Sequence, residues 1–158
     1  MSNTVMSAPA IVDTSTCHQL AGTDKPFILA IKKGENLFKS ILHCADVIGL
    51  PSASISGLGA LDDVTVAFYH LETKHYQTKL FEGTYELVSL NGNVTFFEGK
   101  RFIHIHAALG TSDYNIVGGH IMDATVGPSA EITITPLSGK INRKHDEDIG
   151  LKLMCPLS

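Results

Sequence analysis

Hydrophobic and polar side chains follow two different periods along this chain. In ENLFKSILHCADVIG, residues 35–49, apolar side chains recur every three or four positions up to a glycine, and a proline follows soon after. This spacing predicts an amphipathic helix that ends at Gly49. PFILAIKKG, residues 26–34, predicts a strand before the helix. From residue 52 to 136, short apolar runs alternate with turn residues, which predicts a series of further strands.

Tight turns separate the predicted strands. Turn residues occur at Glu72–Lys74, at Asn91–Gly92, at Glu98–Lys100 and in GTSDYN, residues 110–115. Such short connections are typical of hairpins, and strands joined by hairpins pair in antiparallel fashion. We therefore predict an α+β fold in which an antiparallel β-sheet packs against one main helix.

The length and composition indicate a single folded domain. The chain has 158 residues, of which 44% are hydrophobic and 18% charged. Residues 1–23 are rich in serine, threonine and alanine and are expected to form an N-terminal arm. Residues 24–137 are the predicted domain, and residues 138–158 form a tail of mixed charge with an apolar end. The apolar runs NVTFF, residues 93–97, and IGLKLM, residues 149–154, are candidates for a subunit interface.

Charge, cysteines and the N-terminal sequence bear on location and partners. The formal net charge of −4 argues against strong electrostatic binding to nucleic acid. Cys17, Cys44 and Cys155 form no CxxC pair, so reduced thiols in a cytoplasmic protein are expected. The first residues lack the basic and apolar regions of a signal peptide, and no apolar run reaches the ~18 residues of a membrane span. The membrane is therefore not an expected partner.

The stretch FIHIHAALG, residues 102–110, places two histidines in an apolar run. Side chains alternate along a strand, so His104 and His106 share one face. A hairpin centred near Asp113 would pair position 106 with position 120, which is also a histidine. His104, His106 and His120 would then converge as three possible ligands of a divalent metal, with zinc the expected ion. From the spacing alone, polar histidines on a solvated sheet face explain the pattern equally well.

Two glutamates are candidate partners of these histidines. Glu131 opens the last clear strand, and Glu86 lies in GTYELVSLNG. Either carboxylate could orient a histidine or act as a general base, although a surface position is the more ordinary explanation. GLGALD does not fit the GxGxxG pattern, so no dinucleotide cofactor is predicted.

The run from Gly34 to Pro136 resembles the PPC family, the plant- and prokaryote-conserved domain. The resemblance rests on GENLFKSILHCADVIGLPSASISGLGALDDVTVAFY, FEGTYELVSLNGNV, FIHIHAALG, VGGHI and GPSAEITI. It covers about two-thirds of the chain. It implies an α+β fold, assembly as a homotrimer, and a cluster of His104, His106 and His120 with a divalent metal such as zinc as its occupant.

The resemblance also raises DNA as a partner. Plant members join this domain to an AT-hook, a basic RGRP segment that enters the minor groove. This sequence has no RGRP segment, and its one basic cluster, KINRKH at 140–145, is followed at once by acidic residues. DNA binding is therefore only weakly supported.

Three functions remain open from the sequence. The first is a trimeric assembly or binding module with a metal or small-ligand site at the histidines. The second is a metal-dependent hydrolase or lyase that uses water on the metal, with Glu131 or Glu86 as base. The third is a DNA-binding transcriptional regulator.

Overall fold

The computed structural model describes residues 11–156 and shows a mostly β fold with one α-helix in that range. The strands and helix are β1 (Ile11–Val12), β2 (Phe27–Lys32), α1 (Leu37–Ile48), β3 (Ser52–His70), β4 (His75–Phe97), β5 (Lys100–Gly110), β6 (Ile116–Leu137), β7 (Asn142–Asp146) and β8 (Leu151–Met154). A short 3₁₀ helix spans Cys17–Leu20. The predicted α+β class is confirmed.

Helix α1 has the boundaries that its sequence encodes. The side chain of Asn36 accepts a hydrogen bond from the backbone N–H of Lys39 at 3.0 Å and so caps the N-terminus. Gly49 ends the helix in the left-handed conformation, with φ of 76°, which glycine adopts without strain. The apolar stripe of the helix is buried against the sheet, with Leu37 and Ile41 fully enclosed.

The four long strands pair in a closed ring. β3 pairs with β4, β4 with β5, β5 with β6, and β6 with β3, all in antiparallel fashion. β2 extends the sheet beyond β6, and the β7–β8 hairpin extends it beyond β4. Two short edge pairings, β1 with β2 and β4 with β7, are parallel, so the expectation of an entirely antiparallel sheet is wrong at these edges.

Asn91–Gly92 does not form the predicted turn, because β4 runs without interruption through both residues. Gly92 pairs with Ile105 on β5, and a Cβ at Gly92 would lie 2.2 Å from the carbonyl oxygen of His104. The glycine therefore permits a close approach of two strands rather than a change of direction. The other three predicted turns are confirmed, since each separates two strands.

Two of the three cysteines are joined, which corrects the expectation of reduced thiols. Cys17 in the 3₁₀ helix and Cys44 in α1 form a disulfide with a Cα–Cα distance of 5.6 Å, and both residues are fully buried. The 3₁₀ helix packs against α1, and this packing brings the two cysteines together across 27 residues of sequence. Within the described range, Cys155 remains a free thiol.

The three central residues of the run NVTFF are part of the interior of the subunit. Val94 and Thr95 are inaccessible to solvent and Phe96 is 7% exposed, so its proposed place in a subunit interface is wrong. The backbone of β4 is not a free sheet edge there either, since β5 pairs with it on one side and β7 pairs with Phe96 and Phe97 on the other. In IGLKLM, by contrast, Leu153 and Met154 are exposed on β8.

No helix within residues 11–156 is long and apolar enough to cross a membrane.

Candidate metal centre

The predicted register of the β5–β6 hairpin is confirmed, because His106 lies directly opposite His120. His104 lies two residues earlier on β5 and therefore on the same face. The close approach of the two strands requires a glycine before His120. A Cβ at Gly118 would lie 2.1 Å from the carbonyl oxygen of Ala107. The sequence thus fixes both the face and the spacing of the three imidazoles.

The three histidines form a compact cluster, in which one nitrogen from each ring lies within 4.8 Å of the other two. The ring centroids are 4.9 to 5.3 Å apart. The Nε2 atoms of His104 and His106 are 3.1 Å apart. Two nitrogens on a tetrahedral zinc ion, each bonded at about 2.05 Å, would be about 3.3 Å apart. The donor set and its spacing therefore fit a divalent ion with three histidine ligands.

The surroundings of the cluster favour neutral imidazoles. The pKa of His104 is lowered to about 4, first by burial and then by the nearby His120, His106 and Arg143. The pKa of His120 is also lowered, again chiefly by burial. Neutral imidazole is the form that binds a metal, so these histidines are ready to act as ligands at neutral pH.

A cleft of about 540 Å³ adjoins His104 and His120. Hydrogen bonding between β5 and β6 ends at the His106–His120 pair, so earlier β5 residues do not pair with β6. The cleft is lined by Phe38 and Leu42 of α1 and by residues 150–153 of the β7–β8 hairpin, among others. The cleft thus gives a small molecule access to the histidine cluster.

The structure does not bring Glu131 or Glu86 into this cleft. Glu131 is exposed and lies in a separate groove beside Leu58. Glu86 is exposed and pairs with Gly110, which is four residues beyond His106 on β5, or about 13 Å along a strand. The cluster that could hold a metal among residues 11–156 contains the three histidines alone.

Sequence reasoning missed most residues that line the cleft, among them Tyr76, Arg143 and Lys152. The ring of Tyr76 packs against that of His120 with centroids 5.1 Å apart. Arg143 and Lys152 line the cleft from β7 and β8. Arg143 belongs to the basic run KINRKH, for which the sequence suggested only a contact with DNA. The signal available in the sequence was the position of that run directly after the predicted domain.

Comparison with known families decides the identity of the fold. Residues 19–138 match the family model described as the Plants and Prokaryotes Conserved (PCC) domain. The chain belongs to the PCC domain family. This is the PPC family indicated by the motifs of the sequence. The match to the PCC model ends before β7, so Arg143 and Lys152 lie outside the matched residues.

Solved structures of several prokaryotic proteins share this fold. A PPC protein from Pyrococcus horikoshii is 33% identical, with a TM-score of 0.80 over 85% of this chain and 93% of its own. A metal-containing protein from Archaeoglobus fulgidus is 34% identical, with a TM-score of 0.79 over 84% and 94%. A protein from Ralstonia eutropha named "putative DNA-binding protein" is 27% identical, with a TM-score of 0.77 over 82% and 90%. No curated protein sequence matches the chain significantly.

Proposed function

We propose that this PCC-domain protein is a metal-binding module in which His104, His106 and His120 hold a divalent ion, with zinc as the expected occupant. The observation that carries the proposal is the convergence of three imidazole nitrogens within 4.8 Å of one another. The name of the Archaeoglobus fulgidus relative, a metal-containing protein at 34% identity, supports it. The lowered pKa values of His104 and His120 add a chemical reason, since these two ligands need not lose a proton at neutral pH.

The residues of the site would have distinct roles. His104 and His106 are held in place by the β4–β5 ladder, and His120 by pairing with β3 and β5. The ring of Tyr76 limits the rotation of His120. Zinc with three histidine ligands keeps a fourth position for water or another ligand and lowers the pKa of a bound water. The exposure of His106 leaves the cluster accessible from solvent.

The test is elemental analysis of untagged protein beside a His104→Ala/His106→Ala variant. His70→Ala is the matched control, because His70 is an exposed histidine at the C-terminal end of β3 and is not part of the cluster. We expect close to one zinc ion per chain in the native protein and the control, and almost none in the double variant. Absence of metal from the native protein, even after addition of zinc, would overturn the proposal.

We further propose that the protein assembles as a homotrimer, as its resemblance to the PPC family implies. Large apolar side chains are exposed on the long strands, including Phe68, Leu80 and Ile116. Exposed apolar side chains of this size are candidates for a surface that another subunit covers. Light scattering should give a mass close to three times 17.0 kDa, and a monomer would refute the assembly. A cytoplasmic location stays a prediction.

A metal-dependent enzyme is the second candidate function, and the cleft of about 540 Å³ beside His104 and His120 favours it. A volume of this size is in the range of sites for small molecules. The reaction would be hydrolysis of a small substrate or, for a lyase, cleavage of a bond in it without water. Since neither Glu131 nor Glu86 lines the cleft, neither is assigned as its base. Zinc-dependent turnover of a small ester or keto acid, lost in the histidine double variant, would favour the enzyme. A fully zinc-loaded protein that turns over neither would favour the binding module.

A further inference from the structure

Arg143 is a buried cation whose hydrogen bonds go only to neutral groups. The residue is 8% exposed. Its Nε donates to Thr95 Oγ1 at 2.9 Å, one terminal nitrogen to the carbonyl oxygen of Lys152 at 2.7 Å, and the other to Asn93 Oδ1 at 2.9 Å. Three neutral acceptors hold the guanidinium in a fixed orientation, but none of them balances its charge.

No carboxylate within residues 11–156 pairs with Arg143. The ion pairs of the described chain involve Lys32, Arg101 and His145 instead. A guanidinium has five N–H donors, and three hydrogen bonds leave one N–H on each terminal nitrogen. Burial of a cation without a counter-charge is costly, so the arrangement is best explained by an anion that arrives from outside the chain.

The guanidinium lies close to the histidine cluster and on the same side of the sheet. Its acceptor Asn93 is the direct cross-strand neighbour of His104, and its acceptor Thr95 is the neighbour of Phe102. The ring of Phe102 lies 4.9 Å from the centre of the guanidinium. Directly opposite residues on paired strands have Cβ atoms about 5 Å apart. An anion on Arg143 would therefore lie at the edge of the proposed metal site.

The remaining walls of the cleft suit an anion with a hydrocarbon part. Lys152 supplies a second cation, whose Nζ lies 4.3 Å from the ring centroid of Phe97 and 5.3 Å from that of Phe102. None of the described lining residues is an aspartate or a glutamate. Apolar side chains also line the cleft, among them Phe38, Leu42 and Ile103. The cleft thus combines fixed positive charge, an apolar surface and an adjacent metal site.

We propose that this cleft binds a small organic anion, whose charged group pairs with Arg143 and Lys152 and whose hydrocarbon part packs against Phe38, Leu42 and Ile103. Arginine matches the planar, two-oxygen geometry of carboxylates and also binds phosphates. The inference rests on the proposed function only for the metal ion next to the anion. Arg143 and Lys152 come from β7 and β8, beyond the residues that match the PCC model. Arg101 of β5 also lines the cleft, but it is paired with Asp46.

The test is calorimetric titration of the zinc-loaded protein with three probes of similar shape. These are 4-methylpentanoate, 3-methylbutyl phosphate and the neutral 4-methylpentanamide. We expect at least one anion to bind about tenfold or more tightly than the amide, since hydrogen bonds to charged groups are the stronger ones. The tighter anion identifies the natural group as a carboxylate or a phosphate ester. Equal affinity for all three probes, or binding of none, would overturn the inference.

Three variants test which cations act. Arg143→Gln should weaken binding of the preferred anion by about tenfold or more, and Lys152→Met by about threefold. Lys144→Met is the matched control, because Lys144 is an exposed lysine between two cleft residues of β7 and does not line the cleft. Lys152→Met keeps the side-chain stem, so it remains informative if Arg143→Gln does not fold. Unchanged anion affinity in folded Arg143→Gln, or in Lys152→Met if Arg143→Gln does not fold, would refute the assignment.

The zinc content measured in parallel separates this inference from the proposed function. A protein that binds no zinc but binds the anion through Arg143 would refute the metal site and leave the anion site standing. A zinc-loaded protein without preference for either anion would refute the anion site alone.

Discussion

The disulfide between Cys17 and Cys44 gives a quantitative test of the structure, because it ties the segment before β2 to helix α1. Removing the cross-link increases the number of conformations available to the unfolded chain. For a sequence separation of 27 residues, loop-closure entropy corresponds to about 3.5 kcal/mol of stability at 25 °C. In a chain of this size, such a loss corresponds to a fall in Tm of roughly 7 to 14 °C.

The assay has two stages. Alkylation of the denatured, unreduced protein followed by mass spectrometry should show one modified cysteine, Cys155. Urea unfolding is then followed by circular dichroism for protein folded with and without reductant, which changes the cross-link and leaves every side chain in place. Cys155→Ala is the control, since Cys155 is free and its loss should leave the effect of the reductant unchanged.

Two results would refute this reasoning. Three alkylated cysteines would show that the disulfide does not form. A disulfide that forms but shifts the free energy of unfolding by less than about 0.5 kcal/mol would show that the segment contributes no long-range constraint. The outcome also bears on location, because stable disulfides are rare in the reducing cytosol of most organisms.

Three further predictions concern the histidine cluster and DNA. In the metal-free protein, the pKa of His104 is about 4 in the folded chain and 6.5 in the unfolded chain. As the pH falls from 6.5 to about 4, the unfolded chain therefore binds a proton before the folded chain does. The free energy of unfolding should fall by about 1 to 2 kcal/mol over this range, after allowance for solvent screening. Urea midpoints across this pH range should show it, and a His104→Gln variant with the same slope would contradict it. Gly118→Ala should weaken the β5–β6 ladder and abolish zinc binding, since the added Cβ meets the Ala107 carbonyl oxygen at 2.1 Å, whereas Ser112→Ala in the exposed turn should retain zinc. Retention of zinc by Gly118→Ala would show that the strands adjust. An AT-rich duplex should not be retarded at physiological salt, and salt-sensitive retardation by the native protein would restore DNA as a partner.

Local patterns were sufficient to predict helix α1 and the histidine cluster. Asn36 and Gly49 lie at the ends of an apolar stripe, and both ends are determined by hydrogen bonds within a few residues. The pairing of His106 with His120 could be predicted from the position of the hairpin centre alone, near Asp113. Short-range rules of this kind can be read from a single sequence because the interacting residues are close along the chain.

Features that depend on distant residues could not be predicted. The sequence Asn91–Gly92 looks the same whether Gly92 forms a turn or allows a neighbouring strand to approach closely. Which of the two occurs depends on β5, which packs against Gly92 in the folded chain. Cys17 and Cys44 meet because the 3₁₀ helix packs against α1. Arg143 reaches the cleft because β7 pairs with the C-terminal end of β4. This pairing is parallel, and no turn residue in the sequence predicts it.

The division of the cleft between two stretches of chain has a consequence for how such proteins diversify. The three histidines lie on β5 and β6, in the part of the chain that matches the PCC model, while Arg143 and Lys152 lie on the β7–β8 hairpin that follows it. If that hairpin were exchanged between relatives, the preference for the bound anion would change with it, whereas the three histidines would be unaffected. A chimera that carries a foreign hairpin on this chain should therefore keep its zinc and acquire the ligand of the donor.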